Sequence, residues 1–134
     1  MKFIFLAAGK SSRIYKKIKI NKCLIRIKKK TIIEKLIENI PKKYKKDISI
    51  ITGFRSDLIV KKLSKYKINF IRNKNYKTTE MLYSLYLGLT KFDDDILFSY
   101  TDIIYDKSLI KRIIKTCNFT GKVGDHRTID DLEI

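Results

Sequence analysis

The sequence predicts an α/β fold, a Rossmann-like and mostly parallel sheet with helices on both faces. Three observations carry that reading. Apolar runs of strand length alternate with stretches of helical period. The resulting order, β-α-β-α-β-α-β-α, requires parallel strands joined by right-handed crossovers. The chain has 134 residues, 44% of them apolar, which is one domain's length and enough material for one core.

The first strand is expected over Lys2–Ala7, a continuous apolar run after one lysine. A short strand is expected at Cys23–Ile27. Thr31–Ile40 reads as a helix: Ile32, Ile33, Leu36, Ile37 and Ile40 share one face, Thr31 and Glu34 form a capping-box pair, and Pro41 follows the end. Ile48–Thr52 and Ile68–Arg72 read as strands, with a helix over Ser56–Tyr66 between them. A helix over Glu80–Leu89 then leads to a strand at Ile96–Tyr100. The last helix, Lys107–Thr116, places Leu109, Ile110, Ile113 and Ile114 on one side. Asp93-Asp94-Asp95 reads as a solvated turn. Residues 1–117 form the expected domain, and 118–134, which lack a period, an irregular tail.

Composition excludes several classes. Cys23 and Cys117 lie far apart outside any C-x-x-C pattern, and His126 is the single histidine, so a disulfide scaffold and a Cys/His metal centre are not expected. No apolar run reaches the ~18 residues of a membrane span. The stretch from Phe3 to Ala8 is shorter than the ~7–15 apolar residues of a secretory signal. These features predict a cytoplasmic protein with no membrane span. The net charge is +17, but Lys occurs 25 times and Ile 24 times, while Ala occurs only at 7 and 8. A coding bias toward Lys and Ile accounts for scattered lysines without a nucleic-acid partner. In such a chain, two alanines beside a glycine stand out.

Ligands of open α/β sheets bind at the carboxyl ends of the strands. There the sequence places Ala7-Ala8-Gly9-Lys10-Ser11-Ser12-Arg13, then Thr52-Gly53-Phe54, then Asn73 and the loop to Thr79, then Thr101-Asp102. Small residues at 7, 8 and 9 let backbone N–H groups approach an anion, Ser11 and Ser12 add hydroxyls, and Arg13 adds a fork suited to phosphate oxygens. The alternative is an ordinary strand-to-loop connection, and neither G-x-x-x-x-G-K-[ST] nor G-x-G-x-x-G is present. A carboxylate at Asp102 suits a divalent cation facing a nucleotide, or alternatively caps the next helix. Lys22 lies in the stretch 16–30, where eight of fifteen residues are basic, and nothing but a family pattern separates it from its neighbours.

Leu6-Ala-Ala-Gly-Lys-Ser-Ser-Arg13 followed by Asn21-Lys22-Cys23-Leu24 resembles the L-A-A-G-x-G-[ST]-R…P-K-x-L signature of NTP-transferase domains. These nucleotidyltransferases make nucleotide sugars and related activated alcohols. Thr52-Gly53-Phe54 is similar to the family's T-G-[YF]. Asn75-Tyr-Lys-Thr-Thr-Glu-Met-Leu-Tyr-Ser-Leu85 and Ser99-Tyr-Thr-Asp-Ile-Ile-Tyr105 resemble segments of the phosphocholine cytidylyltransferase branch. The resemblance covers residue 1 to about 116. It implies the nucleotide-diphospho-sugar transferase-like fold, here in truncated form, and transfer of a nucleoside monophosphate, CMP favoured, from an NTP to an acceptor such as phosphocholine or a sugar 1-phosphate, with release of pyrophosphate. It implies nucleotide contacts at Ala7, Ala8, Gly9, Ser11, Ser12, Gly53, Thr79 and Ser84. It also implies Arg13 on the β- and γ-phosphates, Lys22 on the α-phosphate, and Mg²⁺ on Asp102.

Departures from the pattern are specific. Ser11 replaces the second glycine, Asn21 replaces proline before the lysine, and Lys28-Lys29-Lys30 replaces a glycine-containing turn. Glu80 stands where the branch has asparagine, the position that bears on base choice. Family members are much longer, and their second half supplies the acceptor pocket and a second metal-binding aspartate; Asp125, Asp130 and Asp131 do not resemble that site. Self-association, or a second chain completing the domain, is therefore expected. Two other readings stay open: a nucleotide-binding module without catalysis, and a basic RNA-binding domain using the face around residues 16–30.

Overall fold

A computed structural model of the chain describes residues 1–10 and 12–120, without the side chains of residues 14, 15 and 118–120. Six strands are present among them: β1 (Lys2–Ala7), β2 (Arg26–Ile27), β3 (Lys30–Thr31), β4 (Ile48–Thr52), β5 (Asn69–Arg72) and β6 (Ile96–Tyr100). The helices are α1 (Ser12–Ile18), α2 (Ile32–Asn39), α3 (Ser56–Lys62), α4 (Met81–Leu89) and α5 (Lys107–Thr120). The main sheet is parallel, in the order β5-β4-β1-β6. β2 and β3 form a separate antiparallel hairpin. The α/β fold read from the alternation is the fold of the protein.

Alternation within β1 explains the two-sided core. Phe3, Phe5 and Ala7 face one layer, where they meet α2 through Ile33, Leu36 and Ile37, α3 through Ile59, and α5 through Ile110 and Ile114. Ile4, Leu6 and Ala8 face the other way with Ile51, against Met81 and Leu85 of α4. A strand buried on both faces reads as an unbroken apolar run, as β1 does. α4 lies close to the sheet because Gly88 has no side chain: a Cβ there would stand 2.9 Å from Ile4 Cδ1. This second layer is thin. Leu82 is 76% exposed, and Tyr86, Leu89, Phe98 and Tyr100 are also exposed.

The capping box at α2 forms as expected. Thr31 Oγ1 accepts from the Glu34 N–H at 3.3 Å, and the Thr31 N–H donates to Glu34 Oε2 at 2.9 Å. Four expectations are corrected. The strand expected at Cys23–Ile27 is only Arg26–Ile27, because Lys22–Leu24 closes a 3₁₀ turn through Leu24 N–H to Asn21 O at 2.9 Å. The helix expected to Tyr66 ends at Lys62, where Leu63 leaves helical geometry. The last helix runs on to Thr120, so residues 118–120 are helical; the rest of the expected tail, 121–134, lies outside the described residues. Helix α1 and a 3₁₀ segment at Lys42–Asp47 were not anticipated.

Candidate functional site

The strand order sets the location. The chain steps from β1 to β4 to β5, then returns to the other side of β1 as β6. Such a reversal leaves a crevice between β1 and β6 at their carboxyl ends, where ligands of this fold class bind. A cleft of about 210 Å³ lies there, lined by Ala7 and Gly9 after β1, Asn21, Lys22 and Cys23 from the 3₁₀ turn, and Thr101 and Asp102 after β6. A smaller recess of about 30 Å³ shares Gly9 and Met81 with it and is lined by Ala8, Asn73, Thr79 and Ser84 among others.

Each functional group has a structural reason for its place. Lys22 Nζ donates to Asp102 Oδ2 at 3.0 Å, joining residues 80 apart in sequence. Both side chains keep over 40% of their exposure. Asp102 is held by its neighbour: the buried Thr101 hydroxyl donates to Leu6 O at 2.9 Å, tying the end of β6 to β1. Asp102 is not a helix cap. That role falls to Asp106, whose carboxylate accepts from the Ser108 N–H at 2.7 Å. Lys22 is positioned through the preceding residue, because Asn21 Nδ2 donates to Phe54 O at 2.7 Å while the Phe54 N–H donates to Ala8 O at 3.2 Å. Three loops are thereby knitted together.

The glycines divide by function. A Cβ at Gly53 would lie 2.6 Å from Tyr76 Cβ and 2.8 Å from Ala8 O, so glycine lets the loop after β4 press on the loop after β1. A Cβ at Gly9 would meet only Met81 Cε at 3.7 Å, an ordinary contact. The protein itself does not need glycine at 9; the open backbone there faces both recesses. Cys23 also lines the cleft, but burial pushes its thiol up to about 12. It stays protonated at neutral pH and serves as a small apolar residue, not a nucleophile.

Of the residues singled out in the sequence, Ala7, Gly9, Lys22 and Asp102 line the main cleft, while Ala8, Thr79 and Ser84 line the recess with Gly9. Gly53 stands behind them as a packing residue. Ser12 and Arg13 are exposed in the first turn of α1 and do not line the cleft in this conformation. Ser11, Asp125, Asp130 and Asp131 lie outside the described residues. Asn73, which the sequence places at this edge without a role, organises the recess. It is buried, and its Nδ2 donates to Thr79 Oγ1 and Ser84 Oγ, both at 3.0 Å, while its Oδ1 accepts from the Asn75 N–H at 2.9 Å. Asparagine at a strand end with a turn two residues on is the signal that could have assigned that role.

No group of three or more His, Cys, Asp or Glu is placed to share a metal among the described residues. Mg²⁺ does not require one, since it keeps several waters and is commonly bound by one or two carboxylates plus substrate phosphates. Asp102, a hard oxygen donor lining the cleft with Oδ2 paired to Lys22, fits that mode.

Residues 3–124 match the family model of the MobA-like NTP transferase domain. A CTP:phosphoglutamine cytidylyltransferase of Campylobacter jejuni is 30% identical over 122 residues, taking in 85% of this chain and 48% of that protein. Among solved structures, a CTP:phosphocholine cytidylyltransferase from Streptococcus pneumoniae superposes with a TM-score of 0.64 at 29% identity, covering 75% of this chain and 44% of that one. The inositol-1-phosphate CTP transferase of T. maritima, at 19% identity, shares the fold, with a TM-score of 0.63 over 82% of this chain and 46% of its own. The chain spans about half the length of the relatives it matches.

Proposed function

The chain belongs to the MobA-like NTP transferase domain family, and from that premise we propose that it binds an NTP, CTP favoured, in the cleft between β1 and β6 as a nucleotidyltransferase. The reaction would move CMP to a phosphorylated acceptor such as phosphocholine or a sugar 1-phosphate. An acceptor phosphate oxygen attacks the α-phosphorus in line, one P–O bond forms, the bond to the leaving oxygen breaks, and pyrophosphate departs. No covalent enzyme intermediate is needed. The observation that carries this reading is the Lys22–Asp102 pair at 3.0 Å across the cleft from the open backbone of Gly9.

Each residue has a task that its chemistry allows. Lys22 supplies a compact positive charge where negative charge grows on the α-phosphate oxygens, which is worth most when the charge is already in place. Ala7, Ala8 and Gly9 admit the nucleotide to the backbone, with Ser11 and Ser12 adding donors. Thr79 and Ser84, held by Asn73, face the base and ribose end. Arg13 would turn from its exposed place in α1 to grip the β- and γ-phosphates. Asp102 would hold Mg²⁺, which when bound neutralises charge on phosphate oxygens. No helix among the described residues is long and apolar enough to cross a membrane.

A second reading is favoured by one observation: the chain spans about half of its relatives. On that reading it binds nucleotide without turning it over alone, and needs a second copy or another chain to hold the acceptor. Holding the acceptor in line is worth ~7–11 kcal/mol of barrier. Two assays separate the readings. Thermal shift with CTP, UTP, GTP and ATP plus Mg²⁺ should show stabilisation; no shift at millimolar nucleotide would sink both. Pyrophosphate release with CTP and phosphocholine, beside sugar 1-phosphates, should then be slow for the chain alone under the binding-only reading. Turnover on the order of 1 s⁻¹ would favour the enzyme.

A further inference from the structure

Asn21 carries an acceptor that nothing among the described residues uses. Its side chain is buried, with 2% of the residue exposed, and it lines the cleft beside Lys22. Nδ2 donates to Phe54 O at 2.7 Å. A carbonyl oxygen only accepts, so this contact settles which terminal atom is the nitrogen and leaves the other as oxygen. Among the described residues that Oδ1 has no hydrogen-bond partner, and it is the one such buried side-chain atom. A buried acceptor left unmade is costly, and the backbone does not demand it. Asn21 takes φ −63° and ψ 143°, the geometry proline adopts, and the motif this segment resembles has proline there. Asparagine therefore adds an amide to a turn that proline could have built.

The other polar groups of the cleft limit what the amide could serve. The Thr101 hydroxyl donates to Leu6 O and Lys22 Nζ donates to Asp102 Oδ2, so neither group is directed at Oδ1 in this conformation. The oxygens of a triphosphate are acceptors, so they cannot satisfy Oδ1. The remaining donors on a nucleotide are the ribose hydroxyls and an exocyclic amine of the base. We infer that Asn21 Oδ1 is a specificity-determining acceptor, taking a hydrogen bond from a donor on the sugar or base of the bound nucleotide. This rests on the nucleotide-binding reading above.

The test compares dissociation constants of CTP, 2′-deoxy-CTP, 3′-deoxy-CTP and UTP for the wild-type chain and for Asn21→Ala, by calorimetric titration. The wild type should bind one analogue about tenfold more weakly than CTP, a loss of one hydrogen bond. The deoxy arms identify a ribose hydroxyl, and the UTP arm identifies the base amine. Asn21→Ala should erase that preference. Loss of the link to Phe54 would weaken all four ligands alike and leave the ratios intact, so a purely structural role does not imitate the result. Should Asn21→Ala fail to fold, Asn21→Pro keeps the observed φ and removes the same oxygen. Equal binding of all four by the wild type, or preferences that survive in the variant, would overturn the inference while leaving nucleotide binding standing. A wild type that binds none of the four overturns the nucleotide reading and this inference with it.

Discussion

Replacing Gly53 and Gly9 by alanine in turn separates the two jobs glycine does around the cleft. None of the described glycines holds a left-handed φ, so the backbone tolerates alanine at either position and only space decides. At Gly53 the new methyl would stand 2.6 Å from Tyr76 Cβ, 2.8 Å from Ala8 O and 3.0 Å from Tyr76 Cγ. Ordinary carbon contacts lie near ~3.5–4.0 Å, so the shortfall against Tyr76 Cβ is about 1 Å. Two of the three obstacles are backbone or the root of a side chain, which no rotamer change moves. Overpacking of this kind costs ~1–3 kcal/mol. At Gly9 the methyl would meet Met81 Cε at 3.7 Å, the far end of a flexible side chain. The loss of unfolded-chain entropy then leaves Gly9→Ala neutral or stabilising by up to ~1 kcal/mol. The order reverses for ligand: Gly9→Ala should weaken nucleotide binding several-fold by covering the open backbone. Urea unfolding followed by far-UV circular dichroism reads the first quantity, and titration with CTP–Mg²⁺ the second. A Gly53→Ala chain within 0.5 kcal/mol of wild type, beside a Gly9→Ala chain that loses more, would refute the steric reasoning.

Four further outcomes follow from other contacts. Lys22→Ala should change the stability of the free protein by less than ~1 kcal/mol, because an ion pair this exposed contributes little, yet it should lower turnover at least tenfold wherever turnover is measurable. Burial pushes the Glu34 carboxyl up, but bonds from the Thr31 N–H and hydroxyl, with Lys65 and Lys62 nearby, bring it below its ordinary value. A depressed carboxyl stabilises above its unfolded value of ~4.3 and loses that contribution as pH falls through the folded one, so Glu34→Gln should flatten the acid side of a melting-temperature profile. Lys28 turns the β2–β3 hairpin at φ 62°, a region that costs a non-glycine residue ~1 kcal/mol; Lys28→Gly should raise stability by a few tenths to ~1 kcal/mol in urea unfolding. Iodoacetamide at pH 8 should label exposed Cys117 within minutes and leave Cys23, whose thiol is held up to about 12, unlabelled in the native protein.

The elements that sequence reasoning located best are those whose burial is one-sided or complete. β1, β4 and β6 match their expected bounds residue for residue, because a short run rich in apolar residues and flanked by polar or turn residues has few other uses. α2 falls within a residue of its expected ends because Thr31, Glu34 and Pro41 punctuate it. α1 escapes such a reading for the opposite reason: it is only 7 residues long, and its Ser12, Arg13, Lys16, Lys17 and Ile18 are exposed. The helix expected over Glu80–Leu89 is present as Met81–Leu89, while the close approach of Gly88 to Ile4 of β1 is visible only in the fold. In the cleft, the positions of Gly9, Lys22 and Asp102 could be named from the motif, but their pairing could not. It depends on a 3₁₀ turn and on Thr101 reaching Leu6, contacts between segments about 80 and 95 residues apart. Asn73 and the unused oxygen of Asn21 are matters of hydrogen-bond accounting, which sequence spacing does not contain.

The edge position of β6 has a consequence for the order in which the molecule loosens. Among the described residues β6 has one hydrogen-bonded neighbour, β1, whereas β1 and β4 have two each. Asp102 extends from that edge, and beyond the ladder the carboxyl end of β6 is tied to β1 by the Thr101 hydroxyl. Opening β6 therefore breaks one ladder and the Lys22–Asp102 pair while β1, β4 and β5 remain joined beneath α2 and α3. Amide protons of β6 should then exchange through a local event of lower free energy than global unfolding. A ligand spanning Gly9 and Asp102 would clasp this edge strand to the rest of the sheet.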